Sequence, residues 1–148
     1  MKIYLDTCCY GRPYDDQSQG ENGVESLAVM ILFFGYLYGA CEIIGSEIVE
    51  FELSQIPDDI KRGNIQYLYS VVSRRVELNS HIEQRAAALQ RYGLKAFDSL
   101  HLAAAESVNA DVLLTVDKDF IKYAKRASSP VRVENPINFT IQEVKSER

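Results

Sequence analysis

The sequence predicts an α/β fold, a parallel sheet covered by helices on both faces. Short apolar runs bounded by turn residues alternate with longer helical patterns along the chain. Two of the apolar runs, KIYLD and VLLTVD, end in an acid, as expected where loops leave the carboxyl ends of parallel strands. The 148 residues fit one domain, spanning 1–148, with enough length for a real core.

The elements follow in order. Residues 1–6 form a short buried strand, KIYLD. Residues 7–23 are turn-rich, with Gly11, Pro13, Gly20 and Gly23, and read as a long loop directly after Asp6. Residues 24–41 read as helix, and residues 42–44 as a short strand. Ser46 is a good N-cap for a helix that runs toward Ile56 and stops at Pro57. Asp58 and Asp59 cap another helix, ending near Ser70. RRVEL, from Arg74, is a third strand. Asn79 or Ser80 caps a helix that Gly93 terminates. Residues 95–108 are a helix rich in alanine and leucine, 111–116 the cleanest strand, 118–126 a helix, and 131–133 a last short strand. The tail after about residue 136 is expected to be loosely packed.

The composition is ordinary for a soluble globular protein, 47% hydrophobic and 25% charged. The most apolar stretch, LAVMILFFGYLYGAC, is shorter than the ~20 residues that span a bilayer, so no membrane association is expected. Its Phe33, Phe34, Tyr36, Leu37 and Tyr38 are too many large side chains for one helix face, which predicts a homodimer. Cys8, Cys9 and Cys41 lack zinc-ligand spacing and are odd in number, which fits reduced thiols in a cytoplasmic protein. The N-terminus runs straight into a strand, so no signal peptide is expected. The net charge of −5 argues against a protein that grips nucleic acid by bulk electrostatics.

Four acids stand where apolar runs meet loops: Asp6, Glu52, Asp98 and Asp117. Together they would form a pocket of carboxylate oxygens, a set that suits Mg²⁺ or Mn²⁺ and points to phosphodiester chemistry. Helical phase selects Glu52 over Glu47 and Glu50, because Ile48, Val49, Glu52 and Leu53 share one face. Asp98 shares a face with Leu94, Leu102 and Ala105. His101 lies within reach of Asp98, either as a salt link or as a group that orients the carboxylate, and is left out of the metal shell. Asp117 leaves its strand before its competitor Asp119, and strand alternation points Thr115 the same way. Arg12, Lys95 and Lys118 are candidate phosphate contacts, and Tyr10 and Tyr14 could stack on unpaired bases, with packing within the loop the favoured reading for both.

In these four places the chain resembles the PIN-domain family. IYLDT is similar to the family's first strand ending in Asp followed by Ser or Thr, which adds Thr7 to the substrate-contacting set. SEIVEFEL is similar to its helix whose acid stands six residues after a capping Ser. KAFDSLHLAAAE is similar to its central Asp on a small-residue helix, and LLTVDKDF to its Thr-x-Asp strand end. The resemblance covers nearly the whole chain. It implies a three-layer α/β/α sandwich with a central parallel sheet. It also implies a metal-dependent ribonuclease, VapC-like, possessing Asp6, Glu52, Asp98 and Asp117 as catalytic and metal-binding residues, with Mg²⁺ or Mn²⁺ as cofactor. RNA would be the substrate, cleaved to a 5′-phosphate and a 3′-hydroxyl, and an antitoxin protein would be a partner. The chain departs from many members in Cys8 and Cys9, and in the longer segment GRPYDDQSQGENG after the first strand. A non-catalytic scaffold of the same fold, binding RNA or a protein, is the alternative; the presence of all four acids favours the enzyme.

Overall fold

The computed structural model describes residues 1–72 and 74–146. Five strands form one all-parallel sheet: β1 (Lys2–Leu5), β2 (Glu42–Ser46), β3 (Arg74–Val76), β4 (Val112–Leu114) and β5 (Arg132–Glu134). Their order is β3-β2-β1-β4-β5. The chain steps outward from β1 to β3, then returns to the other side of β1 with β4. Strand order therefore reverses between β1 and β4, the position where such sheets open a crevice at their carboxyl ends. Register is tight: Ile3 pairs with Ile43 on one side and Val112 on the other. The inner strands carry almost no exposed side chain, and Tyr4, Leu5, Ile43, Ile44, Leu113 and Leu114 are sealed. That is the near-continuous apolar pattern of a sheet covered on both faces.

Among the described residues, eight helices supply the cover: α1 (Thr7–Gly11), α2 (Asn22–Leu37), α3 (Glu47–Ser54), α4 (Asp59–Tyr69), α5 (Ser80–Gln90), α6 (Ala96–Ser107), α7 (Lys118–Ala127) and α8 (Pro136–Ser146). The result is the expected three-layer α/β/α sandwich. Side-chain caps set the helix starts. Ser46 Oγ accepts from Val49 N, Asp58 from Lys61 N, and Asn79 from Ile82 N, each satisfying an amide that the first turn leaves open. Gly93, at φ 103°, takes the left-handed turn after α5, where a Cβ would also press on the Tyr123 ring.

Two expectations are corrected. The loop after Asp6 is instead α1 followed by a 3-10 turn at Arg12–Tyr14, because the Asp6 side chain caps Thr7 N and starts a helix at once. The tail after about residue 136 is not loosely packed. It forms α8, which lies on α2 and buries Phe139 to 1% exposure. Asn135 starts it: its Oδ1 accepts from Ile137 N, while its Nδ2 donates to buried Glu25. The last two residues of that tail lie outside the described residues. Among the described residues, no helix is long and apolar enough to cross a membrane.

Candidate active site

Strand β1 delivers Asp6 to the crevice between β1 and β4. Its carboxylate is held on both oxygens: Oδ1 accepts from Thr7 N at 2.7 Å, and Oδ2 from Thr115 Oγ1 at 2.7 Å and Cys8 Sγ at 3.4 Å. Thr115 lies just past β4 and is fully buried, so the hydroxyl that fixes Asp6 comes from the other side of the switch point. The same Thr115 Oγ1 accepts from Asp117 N at 3.1 Å.

Glu52 reaches the site from α3. The other acids of that helix are used elsewhere: Glu50 accepts from Arg75 and Tyr69, and Glu47 from Leu78 N. Helical phase accordingly places Glu52 alone toward the crevice. Its Oε1 accepts from Thr7 Oγ1 at 2.8 Å and from His101 Nε2. Burial pushes its carboxyl up, but the bonds from His101 and Thr7 outweigh that and hold it below the usual range.

Asp98 stands on the first turn of α6, whose start has no side-chain cap. Its carboxyl is pushed up to about 7, by burial first and then by the charges of Asp6 and Asp117. Asp117 takes a different part. Its Oδ1 accepts from Asp119 N and Phe120 N and so caps α7. Asp6 and Glu52 thus meet around His101, Asp98 lies near enough to feel the charges of Asp6 and Asp117, and Asp117 is partly committed to its helix.

His101 departs from expectation. It bonds Glu52 rather than Asp98, with Asp6 Oδ1 at 3.4 Å from the same Nε2. Burial lowers the imidazole's proton affinity, yet the Glu52 bond and the charges of Asp6, Glu52 and Asp98 outweigh it and raise the pKa. Behind it, Nδ1 meets Tyr4 Oη at 2.6 Å, and Tyr4 Oη meets Ser46 Oγ at 2.7 Å. The sequence carried a signal for this network: Tyr4 is two residues before Asp6, so alternation puts both on one side of β1.

Asp6, Glu52 and His101 each offer a ligand atom within 4.8 Å of one another. The donor set is dominated by carboxylate oxygens, and nearby Asp98 is disfavoured as an anion by burial first and then by the like charges of Asp6 and Asp117. A hard divalent cation fits the Asp6 and Glu52 carboxylates, with His101 the third residue of that group and Asp98 close enough for its charge to matter.

The remaining candidates divide. Lys95 and Lys118 are exposed at the starts of α6 and α7, beside Asp98 and Asp117. Arg12 is not brought to the acids; it pairs with Asp15 at 2.8 Å and buried Glu25 at 2.9 Å. Tyr10 is buried and cannot stack on a base from solvent, because it packs edge-on against Phe33 and Tyr69. Tyr14 remains partly exposed. Unforeseen in the sequence are Phe51 and Phe97, both exposed, with rings stacked 5.8 Å apart at 18°. Each directly precedes a site acid, Glu52 or Asp98.

Comparison with known proteins accords with this geometry. No curated protein sequence matches the chain. Among solved structures, it is similar to a chain of VapBC2 from Rickettsia felis bound to a DNA fragment from their promoter. That likeness has a TM-score of 0.55 and 18% identity, covering 91% of this chain and 98% of the other, and it concerns the fold. The family model of the PIN domain matches residues 3–126, which takes in all four acids, most of β1 and the whole of β2, β3 and β4. The chain belongs to the PIN domain family.

Proposed function

We propose that this chain is a metal-dependent endoribonuclease that hydrolyses phosphodiester bonds of RNA with Mg²⁺ or Mn²⁺. The observation that supports it best is the meeting of Asp6 and Glu52 beside the β1–β4 switch point, with Asp98 raised to about 7 by burial and then by the charges of Asp6 and Asp117. Asp6, Glu52 and Asp98 would hold the cation and Asp117 would support it from the start of α7. When bound, the cation supplies a Lewis acid that activates water and neutralises charge on the phosphate. The chain's own residues do the rest. Thr7 and Thr115 fix the carboxylates through the bonds described above. Asp98 would be held deprotonated beside a bound cation, so cation binding would release a proton and stabilise the fold. Lys95 and Lys118 would meet phosphates on either side, and the outer face of the Phe51–Phe97 stack would receive an unpaired base.

The same reading includes a setting. Membership of the PIN family and the fold shared with a chain of VapBC2, a complex bound to promoter DNA, support a toxin of a toxin–antitoxin pair, with an antitoxin as partner. Val24, Leu27, Ile31, Phe34 and Leu37 are exposed at helical spacing along α2, which supports a homodimer through that helix. A cytoplasmic location accords with the three free thiols.

The test is cleavage of single-stranded RNA by the pure protein with and without Mn²⁺. Wild type should cleave only with metal, and Asp6→Asn should not cleave while melting cooperatively. Metal-independent cleavage, or full activity in the variant, would overturn the proposal.

A further inference from the structure

The path of bonds behind Glu52 can be followed atom by atom. Glu52 Oε1 receives two donors, Thr7 Oγ1 and His101 Nε2. An ionised carboxylate only accepts, so Nε2 carries a proton and gives it to Glu52. In the neutral ring Nδ1 is then an acceptor, and Tyr4 Oη, 2.6 Å away, donates to it. Tyr4 Oη in turn accepts from Ser46 Oγ, 2.7 Å away. Ser46 Oγ itself accepts from Val49 N at 3.1 Å, the amide it caps. Every donor has an acceptor, and the bonds run one way, from the first turn of α3 through the core to the carboxylate on its second turn. Tyr4, Ser46 and His101 are all fully buried, so water does not compete for these bonds.

Glu52 needs such support. Its side chain is 31% exposed and stands on a helix of only eight residues. Both donors engage Oε1, and no described partner engages Oε2, so one oxygen is anchored and the other is presented to the crevice.

We infer that Tyr4 and His101 are positioning residues that fix the Glu52 carboxylate for cation binding, with Ser46 coupling the helix cap to the same path. The inference rests on the proposed function, because it concerns the cation that Glu52 would hold. Removing groups that orient a ligand typically weakens metal binding by 10–100-fold.

The experiment follows Mn²⁺ binding by titration calorimetry and by the metal-induced rise in melting temperature. Wild type, Tyr4→Phe, His101→Gln, His101→Leu and Tyr10→Phe are compared. Tyr10→Phe is the control, since Tyr10 Oη is buried without a partner and outside the path. Tyr4→Phe should weaken Mn²⁺ binding about tenfold, and Tyr10→Phe should leave it unchanged. His101→Gln, which keeps a donor for Glu52, should retain more affinity than His101→Leu. A Tyr4→Phe protein that loses stability without metal but binds Mn²⁺ like wild type would reduce Tyr4 to a structural role and overturn the inference. If Tyr4→Phe does not fold, equal Mn²⁺ affinity in the two His101 variants overturns it instead. A wild type that binds no Mn²⁺ would overturn the proposed function itself, a separate result.

Discussion

Replacing Asp98 by Asn should strengthen the metal-free fold while destroying the site. Asp98 rises from 3.8 to about 7 on folding, so the folded protein disfavours its charged form. At ~1.4 kcal/mol per pH unit, a shift of about 3 units corresponds to roughly 4 kcal/mol. The carboxyl is partly open to water, and screening reduces this to about 1–2 kcal/mol. The sign follows from linkage. Between pH 4 and 7 the folded state binds more proton at Asp98 than the unfolded state, so the metal-free protein loses stability as pH rises through that window. Above pH 7 the full penalty is present, and Asn removes it. Without metal at pH 8 the variant should melt about 3–6 °C above wild type, and its melting temperature should depend less on pH between 4 and 7. Adding Mn²⁺ should reverse the order, because wild type gains a bound cation and the variant does not. The assay is a melting series across pH, with chelator and with millimolar Mn²⁺. A metal-free variant that is less stable than wild type at pH 8, with the same pH dependence, would refute the cost of charging Asp98 in its buried, acidic surroundings.

Other outcomes follow from the packing and the rim. Phe139→Ala should cost about 3–5 kcal/mol in chemical denaturation, since α8 buries this ring in the core; a cost near zero would make α8 dispensable. Arg12→Ala should destabilise by about 3 kcal/mol, because it leaves the buried Glu25 carboxylate with Asn135 Nδ2 as its described partner, yet single-stranded RNA affinity should not change. Phe51→Ala in an Asp98→Asn background should weaken single-stranded RNA binding about tenfold in a fluorescence anisotropy titration, with little effect on a duplex.

The legible and illegible parts of the site differ in a definite way. Glu52 could be chosen over Glu47 and Glu50 because a helix repeats within one turn, and that phase survives folding. Asp6 and the strand ends were legible because a charge beside an apolar run marks a sheet edge. Arg12 was misplaced because its partner Glu25 is thirteen residues away, on a helix whose face toward the 3-10 turn no local pattern gives. Tyr10 packs, as its favoured reading had it, but on a helix: α1 forms where turn residues suggested loop, and it rolls the ring into the core. The stacked Phe51 and Phe97 lay next to two chosen acids, but their meeting depends on how α3 and α6 pack. The tail was misjudged because its order comes from packing on α2 and from the Asn135–Glu25 bond, neither of which is a local property of its sequence.

By itself, the sequence determined the alternation of strands and helices, the parallel sheet and the four acids at element ends. These are local properties, written in periods of two and 3.6 and in capping residues. Only the tertiary structure decided the strand order and therefore which strand ends are neighbours. It turned His101 from Asp98 to Glu52, tied that ring to Tyr4 and Ser46, and brought Thr115 to Asp6 across 109 residues of chain. Those contacts depend on where elements cross, and no local period records a crossing.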